Sequence, residues 1–155
     1  MKRMRIVYAL NLLDEWRYAK GVFHNQPLLR GNDIVYDMTG KGKPLWLPLS
    51  VVRSFEKADE LPFTYNHNPK HVLGHLEEVY WDWRTGFIRG DIVIDKEHEA
   101  FVREALQRGV NGISSELLVK EERQPHLNIA KHIRLLGASL VANPACHRCR
   151  MEVEE

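Results

Sequence analysis

Two short stretches of this chain carry the residues best suited to covalent chemistry. The first is Gly112-Ile113-Ser114-Ser115-Glu116. A helix stop at Gly109 and a turn at Asn111-Gly112 put Ser114 early on a strand, where a hydroxyl can project into a cleft. Such a hydroxyl is a poor nucleophile at neutral pH unless a base stands beside it. The blander use of two adjacent serines is to satisfy the backbone of the turn. The second stretch is Asn66-His67-Asn68-Pro69, a polar turn at the end of an apolar segment. Histidine is the residue type most often used as a general base near pH 7. His67 is one of eight histidines, so residue type alone does not single it out.

Two other groups invite a metal reading. His67, His71 and His75 recur every four residues, and on a helix they would share one face and could ligate zinc. Pro69 and Gly74 interrupt any such helix. Cys146-His147-Arg148-Cys149 is a lone C-x-x-C, which supplies only part of a zinc site and is equally a thiol pair. Tyr80, Trp81 and Trp83 sit together on an expected hairpin; they could stack on a base or grip a peptide, though core packing and dimer contact are commoner uses.

These residues need a scaffold, and 155 residues suffice for one domain over 1–155 with a real core. The formal charge is +1 with both signs interspersed, so bulk charge supports no nucleic-acid or membrane-surface role. Arg5–Leu13 reads as a strand, because its apolar run is too short for a signal peptide or membrane span. With two cysteines, no disulfide framework is expected, and a reducing cytoplasm is the default.

Further strands are expected at Ile34–Tyr36, Leu61–His67, Val72–Trp83, Phe87–Ile94, Ile113–Lys120 and Ile129–Ala142, with Glu121–Pro125 a loop. Gly40–Pro44 reads as a turn. A short helix capped by Ser50 would bury Val51, Val52, Phe55 and Ala58. A second, capped by Asp95 and stopped by Gly109, would bury Phe101, Val102, Ala105 and Leu106. The sum is mainly β with two or three helices, a compact barrel or α+β sheet.

The order of these features carries a family resemblance. Phe63–Pro69 followed by Val72–Glu77 resembles the first signature block of tailed-phage prohead (capsid maturation) serine proteases: a histidine at a strand end, a polar turn, then an apolar-Gly pair. Asp91–Gly109 looks like the following helix, and Gly112-Ile113-Ser114 like the nucleophile block. Leu135–Ala145 resembles the closing block, in which a strand runs into a Val-x-x-Pro-Ala turn. The resemblance covers about residues 45–150.

That family is related in fold to the herpesvirus assembly protease. The resemblance therefore implies a closed β-barrel of about six to seven strands flanked by two or three helices, paired as a homodimer. It implies scaffold protein, or the scaffold segment of the major capsid protein, as substrate. The setting would be the host cytoplasm, inside the immature capsid, with no cofactor, metal, nucleic acid or membrane. The chain stops just past the Pro-Ala turn, so scaffold is expected on a separate chain or on a removed tail.

Carried over by residue, the nucleophile falls on Ser114 and the base on His67. Ser115 is the alternative nucleophile after a one-residue shift, and strand alternation lets only one of the two serines serve. Many relatives have a carboxylate where this chain has Gly137, so the third member must come from elsewhere. Glu116 shares the parity of Ser114 and lies two residues on, about 7 Å along a strand. His132, in the closing strand, would echo the herpesvirus arrangement. Backbone N–H groups near Gly137, or Arg134, are candidates for the oxyanion site. Two other readings stand beside this one: a capsid-assembly protein that kept the fold and lost activity, and a zinc module built on His67, His71, His75 and the cysteine pair.

Overall fold

A computed structural model of the chain describes residues 4–6, 20–36 and 43–151. Of the strand expected over Arg5–Leu13, only Arg5 and Ile6 fall among them, in β1 (Met4–Ile6). The Gly40–Gly42 turn lies outside the described residues.

The chain continues through β2 (Lys20–Arg30), β3 (Ile34–Tyr36), β4 (Pro44–Trp46), α1 (Leu49–Val52), β5 (Glu56–Lys57), β6 (Pro62–Tyr65), β7 (Asn68–Asp82) and β8 (Phe87–Asp95). One 3-10 turn, Lys96–His98, leads into α2 (Glu99–Gln107), followed by β9 (Gly112–Arg123) and β10 (Asn128–Val141). The protein is thus mainly β, in one sheet of order β1-β2-β8-β7-β6-β10, curled into a half-barrel. Strand β10 is its spine. Along one edge it pairs in parallel with β4, β5 and β6 in turn; along the other it pairs antiparallel with β9 over its full length. Among the described residues no ladder joins β9 back to β2. The two are tied instead by the Ser115 hydroxyl, which donates to the Leu28 carbonyl at 2.6 Å.

Apolar side chains fill the core, with Leu28, Phe63, Ile92, Ile133 and Leu140 fully buried. Burying a side chain of this size stabilises by roughly 1.5–3 kcal/mol. Helix α2 covers the core with Val102 and Ala105, and Phe101 meets Tyr65 edge-on. In α1 only Val52 is fully buried, and its N-cap is Pro48, not Ser50. The carbonyl of Ser50 instead accepts the Ser54 hydroxyl. Asp95 precedes the 3-10 turn as expected but makes no side-chain cap bond. Glu121–Arg123 extend β9 where a loop was expected, because the partner strand β10 begins early enough to pair them.

The cysteine expectation needs correction. Cys146 and Cys149 form a disulfide across a turn closed by the Cys149 N–H on the Cys146 carbonyl. The turn presses against the start of β9, where the Ile113 N–H donates to the Cys149 carbonyl at 2.7 Å.

Candidate active site

The site begins with an unusual turn. Strands β6 and β7 are joined by only two residues, Asn66 and His67, with Tyr65 paired to Asn68. Both have positive φ, 53° and 58°. This is the pattern of a type I′ hairpin turn, which strongly prefers glycine in its second position. A side chain there costs about 1 kcal/mol or more. The turn is held from outside: the Asn66 N–H donates to the Leu140 carbonyl at 2.9 Å, and the His67 N–H donates to Ser139 Oγ at 2.7 Å. Both acceptors belong to β10.

Ladder register supplies the rest. Ser139 on β10 is the cross-strand partner of both Thr64 on β6 and Ser114 on β9, forming a row of three hydroxyl residues. The Thr64 and Ser139 hydroxyls lie 2.6 Å apart, both buried. Over this row the His67 imidazole reaches Ser114 Oγ with Nε2 at 3.0 Å and Glu116 Oε2 with Nδ1 at 2.9 Å. An ionised carboxylate can only accept, so Nδ1 carries the proton and Nε2 is free to accept from the serine. The residues 47 positions apart in sequence thus meet, and the carboxylate two residues beyond the serine binds the far side of the ring.

Gly137 is directly opposite Glu116 in the β9–β10 ladder, just past a bulge at Leu136. A Cβ at position 137 would sit 2.5 Å from the Pro62 carbonyl oxygen and 3.4 Å from Glu116 Oε1. No carboxylate fits there. The adjacent strand presents one instead, across the space that glycine leaves open.

The other sequence candidates lie elsewhere. Ser115 points to the opposite face and is committed to Leu28, as alternation requires. His132 pairs with Glu56 at 2.7 Å on the β5 side of β10. It stands across from Lys120, six residues along β9 from Ser114 and so about 20 Å away by strand rise. It is not positioned as the third member. Arg134 is exposed opposite Leu118, about 14 Å along the strand from Ser114. His71 packs among Tyr65, His98 and Phe101, and His75 pairs with Glu77, so the three spaced histidines diverge. Among the described residues no three His, Cys, Asp or Glu side chains converge on a metal-sized site. Trp83 is exposed beneath the Arg84 guanidinium, and Trp81 packs on the core.

The site opens onto a cleft of about 850 Å³. His67 and Glu116 keep 31% and 29% of their side-chain surface exposed, enough for a reactant to reach them. The lining of the cleft joins both faces of β9: His67, Ser114 and Glu116 on one, and Leu117, Val119, Glu121 and Arg123, which share the parity of Ser115, on the other with Leu28 and Leu47. Sequence reasoning missed Ser139 as a member of the site. The available signal was a lone hydroxyl in the buried run Ala138-Ser139-Leu140, since a buried polar group needs a partner. No family, curated protein or solved structure matches this chain.

Proposed function

We propose that this chain is a serine endopeptidase of the prohead type, with Ser114 as nucleophile, His67 as general base and Glu116 as the orienting carboxylate. One observation carries the reading: a single imidazole bonded to a serine hydroxyl through Nε2 and to a carboxylate through Nδ1. That arrangement defines the serine–histidine–acid mechanism on any fold.

His67 Nε2 takes the Oγ proton as Ser114 attacks the scissile carbonyl carbon. The tetrahedral intermediate collapses, the C–N bond breaks, and His67 returns the proton to the leaving amine. Water, deprotonated by His67, then hydrolyses the acyl-serine ester and releases the carboxylic product. Proton transfer of this kind contributes about 10²–10⁴-fold. Glu116 keeps the ring in the reactive tautomer and balances the imidazolium charge. The backbone N–H groups around the bulge at Leu136, beside the triad, are the oxyanion candidates; such donors contribute about 3–4 kcal/mol.

The sequence blocks supply the setting. The substrate would be scaffold protein or the scaffold segment of the major capsid protein. It would be cut inside the immature capsid in the host cytoplasm by a homodimer whose curled sheet closes as a herpesvirus-protease-like barrel. The reading as a capsid-assembly protein without activity is favoured less, because Glu116 supplies across the ladder the carboxylate that position 137 lacks. A fluorophosphonate probe tests the proposal. Labelling that maps to Ser114 and disappears in Ser114→Ala is expected; an unlabelled chain that leaves scaffold intact would end it.

A further inference from the structure

The central hydroxyl of the row beneath His67 has no part in the proton transfers above, yet it is hydrogen-bonded twice within the site. Ser139 is fully buried in the middle of β10, between Ala138 and Leu140. A hydroxyl buried there costs stability unless it is bonded, and its bonds point one way. It accepts the His67 N–H at 2.7 Å and shares a 2.6 Å bond with Thr64.

Resting on the reading of His67 as general base, we propose that Ser139 is a positioning residue that holds the imidazole over Ser114. Ser139 and Ser114 are cross-strand partners, so their side chains stand about 5 Å apart on one face. His67 is fastened to both, by its backbone N–H to one and by Nε2 to the other. The separation of two strands therefore sets the separation between the backbone of the base and the nucleophile. This clamp also explains how a left-handed non-glycine residue persists in a turn that prefers glycine. Without the Ser139 oxygen, the His67 N–H loses its partner, the turn relaxes toward an unstrained conformation, and the ring swings off both Ser114 and Glu116. Thr64 secures Ser139 from the other side.

The test compares Ser139→Ala with Thr64→Val, which keeps the Ser139 oxygen. In Ser139→Ala the rate of Ser114 labelling by fluorophosphonate and kcat should fall about 10–100-fold, the range expected for a small misplacement of a reacting group. KM should stay within about twofold, and Thr64→Val should lose much less. An independent readout is the proton NMR signal of the His67 Nδ1–H bonded to Glu116. It should be present in the unmodified protein and in Thr64→Val, and be lost or shifted in Ser139→Ala. An unchanged signal with an unchanged labelling rate overturns the proposal. Because the signal does not depend on catalysis, a protein that cleaves nothing yet loses it in Ser139→Ala would retire the protease reading and keep the positioning role. Should Ser139→Ala not fold, amide exchange in the unmodified protein decides: protection of the His67 N–H supports the clamp, and exchange at the rate of a free turn amide refutes it.

Discussion

The two hairpin turns at either end of β7 are built on opposite principles. The turn from Trp83 to Gly86 looks after itself. Asp82 accepts the Arg84 N–H and the Thr85 hydroxyl, the Gly86 N–H returns to the Asp82 carbonyl, and the residue with positive φ, 77°, is glycine. The turn at Asn66-His67 has its local side-chain bond only beyond it, from the Lys70 N–H to Asn68 Oδ1, and puts a histidine where glycine would be relaxed, while the N–H groups of its two turn residues donate to β10. It depends on Ser139 and Leu140, more than seventy residues away. A turn that meets its own needs serves the fold. A turn kept strained by distant partners marks a place where geometry is being held for another purpose.

The strongest test of this contrast is activity. His67→Ala should abolish scaffold cleavage, by about 10⁴-fold or more, whereas Gly86→Ala should leave the rate within about twofold. Equal losses would break the distinction. Glu116→Gln should cost somewhat less, roughly 10³–10⁴-fold, since the ring can then settle in the wrong tautomer. Adding Gly137→Asp to Glu116→Gln should rescue nothing, because position 137 has no room for a side chain; recovered cleavage would contradict the geometry.

Stability sharpens the comparison on a smaller scale. His67→Gly should be more stable than His67→Ala by about 1 kcal/mol in denaturant titrations, and Gly86→Ala should destabilise by a similar amount. The smallest effect concerns pH. Burial pushes the Asp82 carboxyl up. Hydrogen bonds from the Thr85 hydroxyl and Arg84 N–H, with the cations of Arg89 and Arg84, outweigh it and hold the group below its ordinary value. A carboxyl lowered in the folded state adds stability above its unfolded value, about pH 4, and loses it as pH falls through the folded one. The melting-temperature gap between the unmodified protein and Asp82→Asn should therefore narrow below about pH 4. A gap that holds constant to pH 2 would remove this role from Asp82.

What the sequence made legible follows from local physics. Alternating apolar runs placed β6 through β10 within a few residues, and Gly109 with φ of 83° ends α2 as expected. Ser114 and His67 were singled out by the order of the blocks that resemble the phage proteases, and strand parity said only that Ser114 and Ser115 could not both serve. The rest depended on register. Nothing local distinguishes Glu116 from His132 as the partner of His67; only the pairing of Gly137 with Glu116, set by a bulge in a strand formed later, does so. Strand β2 was hidden because its partner β8 pairs through two irregularities that break its alternation. Both cysteines were visible, but their union depends on a turn packed against β9.

The placement of β10 has a bearing on when the proposed site is complete. It is the last strand among the described residues, and it lies between the strand that leads to His67 and the one that carries Ser114. A ribosome delivers both reactive side chains before it delivers the element that brings them together. Parallel pairing of distant segments is also among the slower steps of folding. On the proposed reading, hydrolytic competence would arrive only with the insertion of this strand, and a nascent chain would cut neither itself nor a neighbour emerging beside it.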